Sequence, residues 1–247
     1  MHAKKIIMKS KKTLLAAVLI FIYFFNSSAQ VPNQTGAGNC LSFNGTSNSV
    51  NYGIVTTTAS SSTLPFTVSA WFNTTSTQIG CIVEKYQGIS ITGIFGWAIE
   101  VNTPTVGNLN FYLNNSQLAD ASVVYTGTPI NDGNWHHLTA VYSATTGFLY
   151  IDGVLVATAA TPGGSPNSRN LNSGNISIQN DQFFNGQIDE VRIWNRALTP
   201  TEVRDSMCTK LTGNETGLVG YWRFDEITGN TVFDSQTNVI ANNGTGF

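Results

Sequence analysis

The chain has 247 residues, with 12 Lys and Arg against 14 Asp and Glu, and only 11% of its residues are charged. Five of the basic residues (Lys4, Lys5, Lys9, Lys11 and Lys12) lie in the first 29 positions and none of the acidic ones do, so the remainder carries a net charge of −7. That sign argues against nucleic acid or an anionic lipid surface as partner, and the abundance of Gly, Ser, Thr and Asn suits an exported all-β chain with many turns.

The basic start is followed by an apolar run over residues 14–25 and by the small residues Ser27, Ser28 and Ala29. This order reads as a secretory signal peptide over residues 1–29, cleaved after Ala29. The run is shorter than the ~20 apolar residues that a membrane span needs. No later segment is apolar enough to cross, so no membrane span is expected after cleavage, and the protein is expected to be secreted or held at the cell surface.

The next segments alternate with period two, as half-buried strands do. They cover residues 40–43, 50–52, 66–72, 79–86, 95–101, 109–113, 122–125, 135–142, 148–151 and 154–157. Asp152-Gly153 is a hairpin signal between the last two. Residues 159–174 read as a polar loop with Pro162 and Pro166, and Ile176 and Ile178 resume the strands. In the run from Ile188 to Trp194, strict alternation puts Asp189 on one face with Val191 and Ile193, and Glu190 and Arg192 on the other. The period then changes. Thr199 can cap a helix, Pro200 suits its first position, and Glu202 closes a capping box. Val203 and Met207, four apart, fall on one face of that helix. About eleven short strands and one short helix call for an all-β fold of two packed antiparallel sheets.

The segments LSFNGTSNSV (41–50), FTVSAWF (66–72), DGNWHHLTAVY (132–142), LYIDGVLVA (149–157) and FNGQIDEVRIWNRALTPTEV (184–203) stand in an order that resembles the laminin-G-like, concanavalin A-like jelly-roll domains. The resemblance implies a two-sheet jelly-roll β-sandwich over residues 38–208. Residues 209–247 resemble the opening of a further unit of the same kind. They either fold back onto their own domain or begin another. The fold hosts lectins, adhesion modules, glycosidase appendages and spacers, so function has to come from a site.

Several sites are candidates. His136 and His137 are neighbours on a strand, point to opposite faces, and cannot chelate one ion together. One ring packed inward and one exposed is the expectation. Glycosidases need paired carboxylates at a fixed separation. The E-x-D-x-E run carried by glycosidases of this fold is missing, Asp189 and Glu190 face opposite ways, and Glu84 and Glu100 fall on separate strands. Glu190 is expected to pair with Arg192 on an outer face, a contact worth ~0–1 kcal/mol. No catalytic residue is assigned. Calcium, which takes hard oxygen ligands, is the candidate cofactor. The resemblance places its site at the turn of Asn44 and Thr46 together with Asp189, although Asn44 stands where the family carries Asp. The rival role for Asp189 is to accept N–H bonds from that turn. Trp71, Trp97, Trp135, Trp194 and Trp222 read mainly as core. Loop positions Asn114, Asn115, Asn180 and Asp181 are the guesses for sugar contact.

Three cysteines in an exported chain leave one unpaired. First and last strands lie side by side in this architecture, so the expected bridge is Cys40–Cys208, with Cys81 a buried thiol. The function expected is a non-catalytic secreted module that binds carbohydrate or a surface glycan, or serves adhesion. The alternatives are a structural or protein–protein module without a sugar site and, third, a glycoside hydrolase.

Overall fold

Two antiparallel sheets pack face to face in the computed structural model. It describes residues 39–53, 55, 65–90, 93–114, 120–161, 172–173, 182–226, 228–239 and 241–246. The expected leader, its cleavage point, Ile176 and Ile178 lie outside the described residues.

The first sheet runs in the order β1 (Leu41–Asn44), β12 (Asn185–Trp194), β3 (Phe66–Asn73), β8 (Trp135–Tyr142), β9 (Thr146–Ile151) and β10 (Val154–Ala160), and β13 (Leu218–Trp222) also pairs with β12. The second runs β14 (Thr231–Val232), β15 (Gly244–Gly246), β2 (Val50–Asn51), β11 (Asn172–Ser173), β4 (Gly80–Ser90), β5 (Gly93–Val101), β6 (Leu109–Asn114) and β7 (Asp120–Tyr125). The expected strands are present wherever they fall on described residues. The stretch read as one polar loop is shorter than expected, because β10 continues to Ala160 and β11 forms at Asn172–Ser173.

The core lies between the sheets because alternate positions of each strand are apolar and point inward. Phe66, Phe72 and Leu138 from the first sheet meet Val83, Trp97 and Phe111 from the second. Phe66 spans the gap, with its ring 5.4 Å from Trp97 and 6.1 Å from Phe111.

The sandwich does not close at Cys208. The segment after the helix supplies β13 to the first sheet and β14 and β15 to the second. Strands β1 and β13 share one edge of β12: Leu41 lies opposite Ile188, and Trp222 opposite Val191. Trp222 is fully buried and donates its indole N–H to the Asn242 carbonyl at 2.9 Å. Asp234 organises the same tail by accepting N–H bonds from Tyr221, Gln236 and Asn242.

The helix α1 (Pro200–Met207) forms as its capping signals require. Thr199 Oγ1 accepts from Glu202 N at 3.3 Å, and Glu202 Oε2 accepts from Thr199 N at 2.8 Å. Val203 packs with Val141, Tyr150, Trp194, Leu198, Leu218 and Tyr221 in a second apolar cluster on the outer face of the first sheet.

Strict alternation fails in β12. Glu190 has φ 53 and sits in a bulge between Asp189 and Arg192. The extra residue flips the face. Ile188 therefore joins Val191 and Ile193 in the core, and Asp189 shares the outer side with Arg192, where alternation placed it with the core residues.

Candidate functional site

The two outer faces of the sandwich differ in kind. On the first sheet the face is covered. Arg192 is 2% exposed and is fixed beneath α1, donating to the carbonyls of Ser206 at 2.6 Å and Thr209 at 2.9 Å. Its ion pair with Glu190 is thus buried rather than the exposed pair expected, and Tyr221 adds a hydroxyl bond to Glu190 at 2.7 Å. The covering helix is the physical reason: it removes from water a charge that then has to be paired.

The outer face of the second sheet mixes polar and apolar groups, and Glu84, Cys81, Ala98 and Asn110 on it are buried. Ile99, Val101, Leu109 and Phe111 point into the core, so their neighbours Glu100 and Asn110 point out and lie opposite each other. A bulge between Cys81 and Val83 turns Cys81 outward too, opposite Glu100. Glu84 faces outward opposite Ala98, and Ala98 lies opposite Tyr112. Tyr112 lies opposite the exposed Ser122. Two carboxylates that the sequence could not pair are therefore on one face of adjacent strands, on either side of Cys81.

The electrostatics of this face follow from its burial. Burial pushes the Glu100 carboxyl above its usual range, and a hydrogen bond from Asn110 offsets part of that. Asn110 is 7% exposed, and its Oδ1 is buried without a hydrogen-bond partner. Such an atom has lost water and gained nothing, at a cost of about 1–3 kcal/mol. Burial, then the charges of Glu84 and Glu100, push the Cys81 thiol well up, so it is an inert apolar group. Its burial agrees with the expectation.

The residues expected to hold calcium do not come together. Asn44 lies opposite Asn185, so Asp189 is four positions further along β12, about 13 Å at the rise of a strand. Asn44 Oδ1 is already occupied by the N–H groups of Thr46, Ser47 and Asn48 at 3.0, 2.9 and 3.2 Å. Asp189 Oδ1 accepts from Glu190 N, not from the turn. Among the described residues no group of three or more His, Cys, Asp or Glu is placed to hold a metal ion. Asn44, Thr46 and Asp189 therefore do not fit a single calcium site. Burial, with Glu190 beside it, raises the Asp189 carboxyl to about 7.

The histidines face opposite ways, as strand geometry requires, but neither ring is exposed. His137 is 1% exposed, meets Trp71 edge-on at 5.1 Å, and is driven down to about 3 by burial and the nearby Arg192 charge. His136 is half-buried and lies between Asp152 and Asp132. Of the tryptophans, Trp71, Trp97, Trp194 and Trp222 are buried and Trp135 is half-buried. Cys40 is half-buried and Cys208 exposed, and the expected bridge between them is not formed in this structure. Asn115, Asn180 and Asp181 lie outside the described residues, and Asn114 closes β6. Asn110 and Tyr112 were missed in the sequence, and Glu100 was named there without a partner. Their signal is the polar half of the alternation in 95–101 and 109–113, which acquires meaning once the register pairs the strands.

No curated protein matches the sequence significantly. Among solved structures, a proposed carbohydrate binding protein from Bacteroides ovatus is similar at TM-score 0.60 and 19% identity, over 83% of this chain and 58% of that one. The chain thus spans less than two thirds of that protein. Domain 4 of AbnA, a GH43 extracellular arabinanase from Geobacillus stearothermophilus, in complex with arabinotriose, is similar at TM-score 0.51 and 22% identity, over 68% of this chain and 76% of that one. Mouse laminin alpha1 chain, domains LG4-5, is similar at TM-score 0.50 and 18% identity, over 66% and 44%. At these identities the likeness concerns the fold. A family model matches residues 44–204, most of the two-sheet framework described above, and by that match the chain belongs to the concanavalin A-like lectin/glucanases superfamily.

Proposed function

We propose that the protein is an exported, non-catalytic binding module that takes carbohydrate on the outer face of its second sheet. The observation that carries this reading is the asymmetry of the two faces. One is sealed by α1 and an apolar cluster; the other has no helix of the described residues over it and carries the half-buried Glu100 and Tyr112 beside the exposed Ser122. Carboxylate and amide groups pair with sugar hydroxyls, and an aromatic ring offers a flat face for the apolar side of a pyranose. The fold is shared with a proposed carbohydrate binding protein and with a domain seen with arabinotriose, which supports the same reading. Export is supported by the leader-like start of the sequence.

A glycan array probed with the purified protein tests the proposal. Binding of oligosaccharides that is lost in Tyr112→Ala, with the variant folded, is the expected result. The absence of any glycan signal, with or without calcium, would favour the protein–protein module. Release of reducing ends from a bound polysaccharide, abolished in Glu100→Gln, would replace the binding module by a hydrolase.

A further inference from the structure

Three buried polar atoms of the first sheet have no hydrogen-bond partner among the described residues: Ser69 Oγ, His137 Nε2 and Arg192 Nε. All three residues are buried to within 2%. They belong to β3, β8 and β12, which are neighbours in the sheet. The residues on either side of each, Val68 and Ala70, Leu138, and Val191 and Ile193, point into the core, so all three share the outer face. Ser69 lies opposite Arg192 on one side and opposite Thr139 on the other, and His137 comes two residues before Thr139. Opposite and diagonal neighbours on one face stand about 5–8 Å apart, a gap that one small group between the side chains bridges. The cover over this strip is fixed to it. Arg192 donates to the carbonyls of Ser206 and Thr209, and Trp71, beside His137, donates to the Met207 carbonyl. Residues 182–226, which include this cover, are all described. We propose that the strip beneath α1 binds an internal water molecule, held by Ser69 Oγ, His137 Nε2 and Arg192 Nε, as a fixed part of the fold.

The donors and acceptors select water over an ion. Arg192 Nε offers only an N–H, which turns a cation away, and Ser69 Oγ either donates or accepts. His137 Nδ1 lies 3.4 Å from Thr139 Oγ1, and burial with the nearby Arg192 charge keeps the ring neutral at ordinary pH. A neutral imidazole has an N–H on one nitrogen and a lone pair on the other, and a water pairs with Nε2 in either tautomer. An anion would find no charge to meet, because the guanidinium is already neutralised by Glu190. Three protein partners are also the usual number for a buried water. The water ties β3 and β8 to Arg192, and through Arg192 to the end of α1.

The test is a crystal structure fine enough to place waters, determined before and after a bromide soak. The expected result is one water peak about 2.7–3.2 Å from all three atoms, with no anomalous bromide signal there. A bromide signal at that place overturns the proposal in favour of an anion. Side chains that turn to pair with one another, with no peak between them, overturn it as well. In solution, NMR should show a nuclear Overhauser contact from a long-lived water to the Arg192 Nε–H. That contact should be lost in Ser69→Val, whose extra methyl groups take the water's place. An Arg192 Nε–H that is visible but has no water contact in wild type overturns the proposal, and so does a contact that persists in Ser69→Val. The wild-type measurements decide the matter even if that variant fails to fold.

Discussion

The ring of Trp222 lies 4.2 Å from the ring of Tyr52, and both side chains are buried to within 1%. This contact joins the last thirty residues to the strand pair near the chain's entry into the fold. Replacing Trp222 by Ala empties a large site in the main core and removes the N–H bond to Asn242. A loss of about 3–5 kcal/mol is expected. Chemical denaturation of Trp222→Ala and of a chain ending at residue 210 checks it. If either variant keeps the full stability, the tail is not part of the sandwich.

A second prediction concerns pH. His136 Nδ1 lies 2.9 Å from Asp152 Oδ2, and Nε2 lies 3.3 Å from Asp132 Oδ1. Both bonds need an N–H, so the arrangement favours the imidazolium. The bond to Asp152 is the main cause that holds the pKa above its ordinary value, and burial opposes it. For a base with a raised folded-state pKa, the added stability is fully present below the unfolded value and is lost as pH rises through the folded one. Wild type should therefore be more stable than His136→Gln at pH 5, with the difference gone by pH 9. NMR titration of the ring should give a value above that of a free histidine. A value at or below it would show that the two carboxylates do not hold the ring.

Asp189 gives the opposite practical outcome. Its carboxyl is raised to about 7, first by burial and then by the charge of Glu190. Between the ordinary value near 4 and about 7 the folded protein holds a proton that the unfolded chain has lost, so stability falls as pH rises through that window. Asp189→Asn should be close to neutral at pH 4 and stabilising at pH 8. One unit of pKa corresponds to about 1.4 kcal/mol, so even part of this shift is visible in thermal melts. A variant less stable than wild type at pH 8 would mean that the carboxylate has a partner such as a bound cation.

The fold was largely legible because its signals are local. Alternation in 66–72 and 135–142 places each strand, and Thr199 with Glu202 announces the helix three residues apart. The site was less legible because it depends on pairing. Glu84 and Glu100 share a face only because β4 lies beside β5, and Cys81 joins them through a bulge that alternation does not foresee. The same limit misplaced Asp189, since a single positive φ at Glu190 reverses the faces of β12. The tail could not be assigned from sequence, because its strands pair with residues nearly two hundred positions away, as Thr245 does with Asn51.

The last prediction concerns Cys40 and Cys208, which we expect to be joined when the protein is exported into an oxidising compartment. The two sulfurs are not bonded in this structure, but the elements that carry them converge on one row of the first sheet. Trp71 lies opposite Asp189 in the register, and its indole N–H donates at 3.2 Å to the carbonyl of Met207, the residue before Cys208. Cys40 precedes Leu41, whose partner Ile188 is next to Asp189, and the Asp189 charge, after burial, helps to raise the Cys40 thiol. Bridging would close a loop of about 170 residues, for which chain-entropy models give ~4–5 kcal/mol before any strain is subtracted. The geometry requires the two Cα atoms to lie within ~7 Å. Peptide mapping of protein secreted without reductant should give a Cys40–Cys208 cross-linked pair and a Cys81 that alkylates only after unfolding. Reduction should then lower the melting temperature of wild type and leave Cys208→Ser unchanged. Full alkylation of both Cys40 and Cys208 in the native secreted protein would sink the prediction, and a cross-link containing Cys81 would show that β4 is misplaced.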